Sequence, residues 1–250
     1  MAASTVVTRV RGADLAALVT GTFDQLRASI GDQPVRAGIL YASATNHLGV
    51  ADALTRLLPG TDLLGATTRD YDPSLVGLWL VGDVRAVVAE RLREDQGGWA
   101  LAEAAISKAG FKSFKTRLAM LHTMAEGEKV AAQVFEVLPR STAFLGAEVA
   151  EVWTHSGAVA EALLVADWPS KVASGFDTTT QVLERKGIPP ETCVGMLRLH
   201  TGLTEVTPAP LTSLPQITAH VNAIFGVPGR SMQSPANGTL VLSSLKKLGE

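Results

Sequence analysis

Two short polar segments carry residue types able to hold a small molecule. Ser43, Thr45 and Asn46 follow one apolar run, and Thr67 with Thr68 follow the next. Hydroxyls and an amide ahead of a helix, together with the free N–H groups and positive dipole end of that helix, suit an anionic group. About eighty residues on, His122, Thr123, Glu126, Gly146 and Glu148 take the corresponding places, with Glu128 beside them. This second set is acidic and would repel an anion. A molecule bearing both signs, such as an amino acid, would fit between the two, its carboxylate near Thr45 and Asn46 and its ammonium near Glu148. The same residues have a plain structural reading. Ser43, Thr45 and Asn46 are ordinary helix caps, and Glu126 and Glu128 suit a helix N-terminus for dipole reasons alone. Gly65 and Gly146 let a backbone turn tightly, and His122 reads equally as a hydrogen-bonded core histidine.

Other chemistry has little support. The five histidines show no HExxH spacing, no GxSxG elbow is present, and the glycines form neither a GxGxxG nor a Walker loop. No metal or other cofactor is expected. His155, in the loop Trp153-Thr154-His155-Ser156-Gly157, is the one candidate haem ligand. Cys193 is the single cysteine, which excludes an internal disulfide and a multi-cysteine zinc site. It reads as a buried inert thiol.

Composition narrows the partners. With 22 basic and 24 acidic residues, a net charge of −2 and no charge blocks, the chain has no footprint for nucleic acid or an anionic membrane. The 250 residues, 46% of them hydrophobic, are enough for a substantial core. No signal peptide is read at the N-terminus, and the apolar run 158–166 is interrupted by Glu161 and too short to cross a bilayer. A cytoplasmic location is expected.

The elements that would position the two polar sets repeat. Sliding the chain on itself by 80 places Ile39-Leu40-Tyr41-Ala42-Ser43 on Ala119-Met120-Leu121-His122-Thr123 and Leu58-Pro59 on Leu138-Pro139. One inserted residue moves the offset to 81, where Leu64-Gly65-Ala66 meets Leu145-Gly146-Ala147 and Val6-Val7 meets Val87-Val88. Each copy reads as a Val-rich strand (Thr5 to Arg9; Ala86 to Arg91), a helix (Ala13 to Ser29; Trp99 to Lys108) and a buried strand (Gly38 to Ala42; Leu118 to Leu121). A second helix (Leu48 to Leu58; Glu128 to Leu138) and two more strands follow (Asp62 to Ala66 and Leu75 to Val81; Ala143 to Ala147 and Val159 to Ala166). Pro59 and Pro139 end the second helices, because the residue before a proline is pushed out of helical conformation.

The expected fold is therefore α/β: two tandem copies of a β-α-β-α-β-β unit in mixed sheets with flanking helices, plus a non-repeating C-terminal α/β segment. Residues 1–175 form the duplicated ligand-binding domain, repeat one spanning 4–83 and repeat two 84–170, and residues 176–250 an extension packing on it. In the extension we expect a strand at Val194 to Leu199, a Pro-rich loop from Thr204 to Pro215, a helix from Gln216 to Phe225, and a strand at Thr239 to Ser243 after an Asn237-Gly238 turn.

The stretches Leu40-Tyr41-Ala42-Ser43, Leu54 to Pro59 and 63–68, with Leu138-Pro139 and 144–147 in the second copy, resemble FIST sensory domains. The resemblance covers about residues 4–175. It implies a sensory, small-molecule-binding role, with amino acids among the ligands proposed for the family, haem in some members, and a signalling partner chain. An enzyme using the same cleft on a small polar metabolite is the alternative reading, and a haem-binding gas sensor a further one.

Overall fold

The computed structural model describes residues 2–12, 14–43, 47–68, 74–91, 97–110, 115–176, 178–201, 215–224 and 237–244. The first copy comprises β1 (Ser4–Arg11), α1 (Leu15–Ile30), β2 (Val35–Ser43), α2 (His47–Leu57), β3 (Asp62–Thr68) and β4 (Ser74–Val81). The second comprises β5 (Arg85–Arg91), α3 (Gly97–Ala109), β6 (Leu118–Thr123), α4 (Gly127–Val137), β7 (Ala143–Glu148), the short strands β8 (Val152–Thr154) and β9 (Gly157–Val159), and β10 (Glu161–Asp167). The remainder holds β11 (Val172–Gly175), α5 (Thr179–Lys186), β12 (Cys193–His200), β13 (Gln216–His220), β14 (Asn222–Ile224) and β15 (Asn237–Ser243).

The α/β class and the duplication are both present. Strand order is β1-β4-β2-β3 in the first unit and β5-β10-β6-β7 in the second, with β2–β3 and β6–β7 parallel. The C-terminal segment does not repeat in sequence, yet its sheet runs β11-β15-β12-β13 with β12–β13 parallel, which is the same arrangement a third time. Irregularities confirm the correspondence. The register of β2 with β4 shifts across Arg36, and that of β12 with β15 shifts across Val194, at equivalent positions.

The three units close a ring. β5 packs on β2 and β3, β11 on β7, and β1 on β12. Each sheet turns one face inward to a shared core that includes Ile39, Leu64 and Leu78 from the first unit, Met120, Leu145 and Leu164 from the second, and Leu197, Ile217 and Leu240 from the third. The outer faces are covered by helices in three separate clusters. Strands buried on both faces explain the continuous apolar runs from which they were read.

Adjacent units are also stitched by backbone pairing. β8, which leaves the second unit after β7, adds antiparallel to β3 of the first, and β14 of the third unit adds antiparallel to β7 of the second. Gly65 and Gly146 lie where those added strands place a side chain, Trp153 over Gly65 and Ile224 over Gly146. Close approach in mid-strand, rather than a tight turn, is what these positions require.

Several expectations change. In the segment expected as a helix from Gln216 to Phe225, the described residues 216–224 form instead the strands β13 and β14, and Phe225 lies outside the described residues. Asn237 and Gly238 lie inside β15 rather than in a turn, and Val159 to Ala166 is broken at Ala160 into two strands. The Pro-rich stretch 204–214 lies outside the described residues. In the second strand of each copy the register is 81, not 80. Tyr41 pairs with Ala66 as His122 pairs with Ala147, so Tyr41 corresponds to His122 and Leu40 to Leu121. An offset of 80 would set the inward Ile39 against the outward Ala119, because a one-residue slip reverses every side chain. Among the described residues, no helix is long and apolar enough to cross a membrane.

Candidate functional site

The parallel strands of all three units end on the same level, and each sheet carries one row of outward residues there. In the first unit the row is Val10, Leu75, Ala42 and Thr67, continued by Glu151. In the second it is Arg91, Glu161, Thr123, Glu148 and Asn222. In the third it is Asn237, His200 and His220. The first row is apolar for three of its positions; the second is polar throughout.

Burial makes that second row costly. Arg91, Glu161 and Thr123 are 5%, 3% and 0% exposed. Arg91 Nη2 donates to Glu161 Oε1, while Arg91 Nε and Nη1 reach no acceptor among the described residues. A buried guanidinium with uncommitted donors is destabilising, since each lost partner costs about 1–3 kcal/mol or more for a charged group. Glu148 Oε2 accepts from the backbone N–H of Gly127 at 3.1 Å, at the first residue of α4, where a carboxylate also meets the favourable end of the helix dipole. Thr123 Oγ1 donates to the Ala125 carbonyl at 2.8 Å.

Across the inner face, units one and two meet through their equivalent residues. Tyr41 Oη lies 2.9 Å from His122 Nε2, and His122 Nδ1 lies 3.4 Å from the Gly65 carbonyl oxygen. A carbonyl only accepts, so Nδ1 carries the hydrogen and Nε2 accepts from the tyrosine. Burial lowers the His122 pKa from 6.5 to about 4, partly opposed by the Gly65 hydrogen bond, and burial also raises that of Tyr41. The imidazole is neutral and both its nitrogens are engaged. The third equivalent, Leu199, is apolar. Nearby, Thr154 Oγ1 donates to Glu90, and Thr67 Oγ1 donates to Glu151 Oε2 at 3.0 Å.

The residues singled out in the sequence separate accordingly. Thr123 and Glu148 share the polar row, and Thr67 occupies the position in unit one that Glu148 holds in unit two. Ser43 is buried at the end of β2, its Oγ accepting from the Ser74 N–H at 2.6 Å, and Thr68 is buried at the end of β3. His122 faces the opposite side of the sheet from Thr123. Glu126 has a left-handed backbone, φ 50°, and pairs with Lys129 at 2.5 Å, so its carboxylate is neutralised at the surface. Gly146 is covered by Ile224. Thr45 and Asn46 lie outside the described residues. His155 sits at the β8–β9 turn, 4.0 Å from Asp62 at the start of β3 and therefore at the far end from the rows. Among the described residues no three His, Cys, Asp or Glu side chains gather as metal ligands. Burial and Glu191 raise the Cys193 pKa to about 11, which fits an inert thiol.

Beside the acidic residues singled out in the second copy, the structure places a cation, Arg91, at this end. It was legible as a charge where the sister copy has Val10, and Glu161 likewise as a charge opposite Leu75. Val10 and Arg91 align at an offset of 81, and Leu75 and Glu161, paired with the equivalent Ala42 and Thr123, at 86.

Solved structures place this architecture. The chain shares its fold with cyanuric acid hydrolase and chorismatase. A cyanuric acid hydrolase from A. caulinodans matches with a TM-score of 0.53 at 8% identity, over 97% of this chain and 99% of that one. A second cyanuric acid hydrolase, described as an evolutionary innovation by structural concatenation, matches at 0.51 and 10% identity over 98% and 100%. A chorismatase matches at 0.53 and 8% identity over 98% and 100%. No protein-family model and no curated protein matches the sequence.

Proposed function

We propose that this chain binds a small polar molecule at the carboxyl ends of its parallel strand pairs, over the outer polar row of the second unit, and acts as a sensory domain. The observation that carries the reading is the row itself. Unit one fills the equivalent positions with Val10, Leu75 and Ala42, so the fold does not need an ion pair there. Apolar replacements of buried ion pairs are often neutral or stabilising, so retention of Arg91 and Glu161 points to use. Arg91 offers donors on Nε and Nη1, and a carboxylate or carbonyl on a ligand would supply the acceptors.

Arg91 and Glu148 stand three strands apart, about 14 Å at ~4.8 Å per strand. One amino acid cannot bridge them, so its charges would be read locally. The resemblance to FIST domains favours binding without turnover, with a partner chain to carry the signal.

A thermal-shift panel of amino acids and small organic acids tests this. A compound present at 100 times its dissociation constant should add about 2.7 kcal/mol of stability. That gain should vanish in Arg91→Val/Glu161→Leu, and a flat response across the panel refutes the proposal. The second reading, an enzyme acting on a small polar metabolite, is favoured by the structural neighbours, which carry enzyme names. It predicts product from a stabilising compound on prolonged incubation.

A further inference from the structure

At the opposite end of the ring, the link between units two and three opens a cleft of about 360 Å³, within the range of small-molecule sites. Its lining has two cations, Arg117 and Lys171, the hydroxyls of Ser170, Thr192, Ser243 and Ser244, and an apolar side of Pro169, Ile188 and Pro189. Among the described residues no carboxylate lines it.

Comparison with the preceding junction explains the opening. Arg117 is the equivalent of Arg36, whose Nε donates to the Gly82 carbonyl at 3.2 Å where unit one passes into unit two. At the second junction Gly82 is replaced by Trp168, which turns inward and donates Nε1 to the Ser243 carbonyl at 2.7 Å. Asp83 is replaced by Pro169, removing the acid. Arg117 is left exposed, and its guanidinium makes no hydrogen bond or ion pair among the described residues. Lys171 Nζ donates one hydrogen to the Gly187 carbonyl at 3.0 Å and keeps two. Ser243 Oγ donates to the Lys171 carbonyl at 2.8 Å, so in the 3.1 Å contact between the two hydroxyls Ser170 Oγ donates to Ser243 Oγ and keeps its lone pairs.

We propose that this cleft binds a phosphomonoester, a site separate from the one at the carboxyl ends. Two cations with no carboxylate among the described lining residues match a group of about −1.5 to −2 at neutral pH, and the fork of Arg117 suits its oxygens. The Pro169, Ile188 and Pro189 side takes the ester's carbon skeleton, and the cleft is larger than inorganic phosphate alone would fill.

Isothermal titration at constant ionic strength, with sodium chloride as the balancing salt, tests the proposal. Phenyl phosphate should bind more tightly than inorganic phosphate, and acetate more weakly than either. Arg117→Met and Lys171→Met should each weaken phenyl phosphate by roughly tenfold or more, whereas Lys129→Met, a surface cation elsewhere, should not. Amide shifts in the unsubstituted protein should localise to residues 170–171, 192 and 244, a readout that does not depend on the variants folding. No binding of either phosphate compound, affinity unchanged from the unsubstituted protein in either Met variant, or shifts confined to other regions would overturn it.

Discussion

Replacing Gly65 by alanine should be among the most damaging single-methyl additions in this chain. A Cβ at that position would lie 2.2 Å from Cδ2 and Cε3 of Trp153, and 2.3 Å from Cε2, all in the fused ring system of a side chain that is fully buried. A tryptophan has no flexible tip to withdraw, and β8 is held to β3 by backbone pairing. Overpacking of this kind costs about 1–3 kcal/mol, and the contact distances place it at the upper end, ~3 kcal/mol. Alanine recovers only about 0.5–1 kcal/mol through its lower backbone entropy. The equivalent Gly146→Ala meets Ile224 Cβ at 3.0 Å, which a few tenths of an ångström relieve, so its cost should stay below about 1 kcal/mol. Urea denaturation at 25 °C reads both. Trp153→Ala alone should cost about 3–5 kcal/mol, and in that background Gly65→Ala should become neutral or mildly stabilising, a coupling of roughly 3 kcal/mol. If Gly65→Ala is as mild as Gly146→Ala, or if the two changes simply add, the claim that β8 of one unit rests on β3 of another by this contact is wrong.

Arg91→Val alone should cost ~3–5 kcal/mol in urea, because Glu161 is left buried without its cation, whereas Arg91→Val/Glu161→Leu, which copies unit one, should return to near the original stability. His122 is protonated more readily in the unfolded chain, at 6.5, than in the folded one, at about 4. Stability should therefore be full above pH 6.5 and fall as the pH drops to about 4, by ~3 kcal/mol, with a flatter profile for His122→Leu. Asp14 caps α1 by accepting from the Ala17 N–H at 2.7 Å, so Asp14→Ala should cost about 1 kcal/mol and speed amide exchange in the first turn of that helix.

Much of units one and two was readable because strands buried on both faces and helices closed by prolines announce themselves locally. What failed depended on partners distant in sequence. β8 and β9 are three residues each, too short for periodicity, and the first pairs with a strand ninety residues upstream. In 216–225, Ile217, Val221 and Ile224 fit a helical face, while Ile217, Ala219, Val221 and Ala223 fit alternation, and the parallel partner β12 decides for the strand. α5 was overlooked although Thr178 and Gln181 spell a capping box and Gly187 closes it. At the site, Thr123 and Glu148, both singled out in the sequence, pair across β6 and β7, whereas Arg91, Glu161 and Tyr41 were not among the candidates. Their signal is comparative, a polar residue where its counterpart is apolar or different, and for Tyr41 and His122 an offset of 80 in place of 81 hides it.

The contact between Tyr41 and His122 carries a consequence for symmetry. In a ring of three identical chains, every position is occupied by the same residue three times, and a donor facing its own copies must find a way to be an acceptor as well. Joining the units in one chain lifts that restriction. Tyrosine, histidine and leucine then stand at one position of the ring, and a directional hydrogen bond forms between two units while the third remains apolar. Any ligand meeting this ring meets three different walls, and can be oriented by them in a way that a threefold-symmetric assembly forbids.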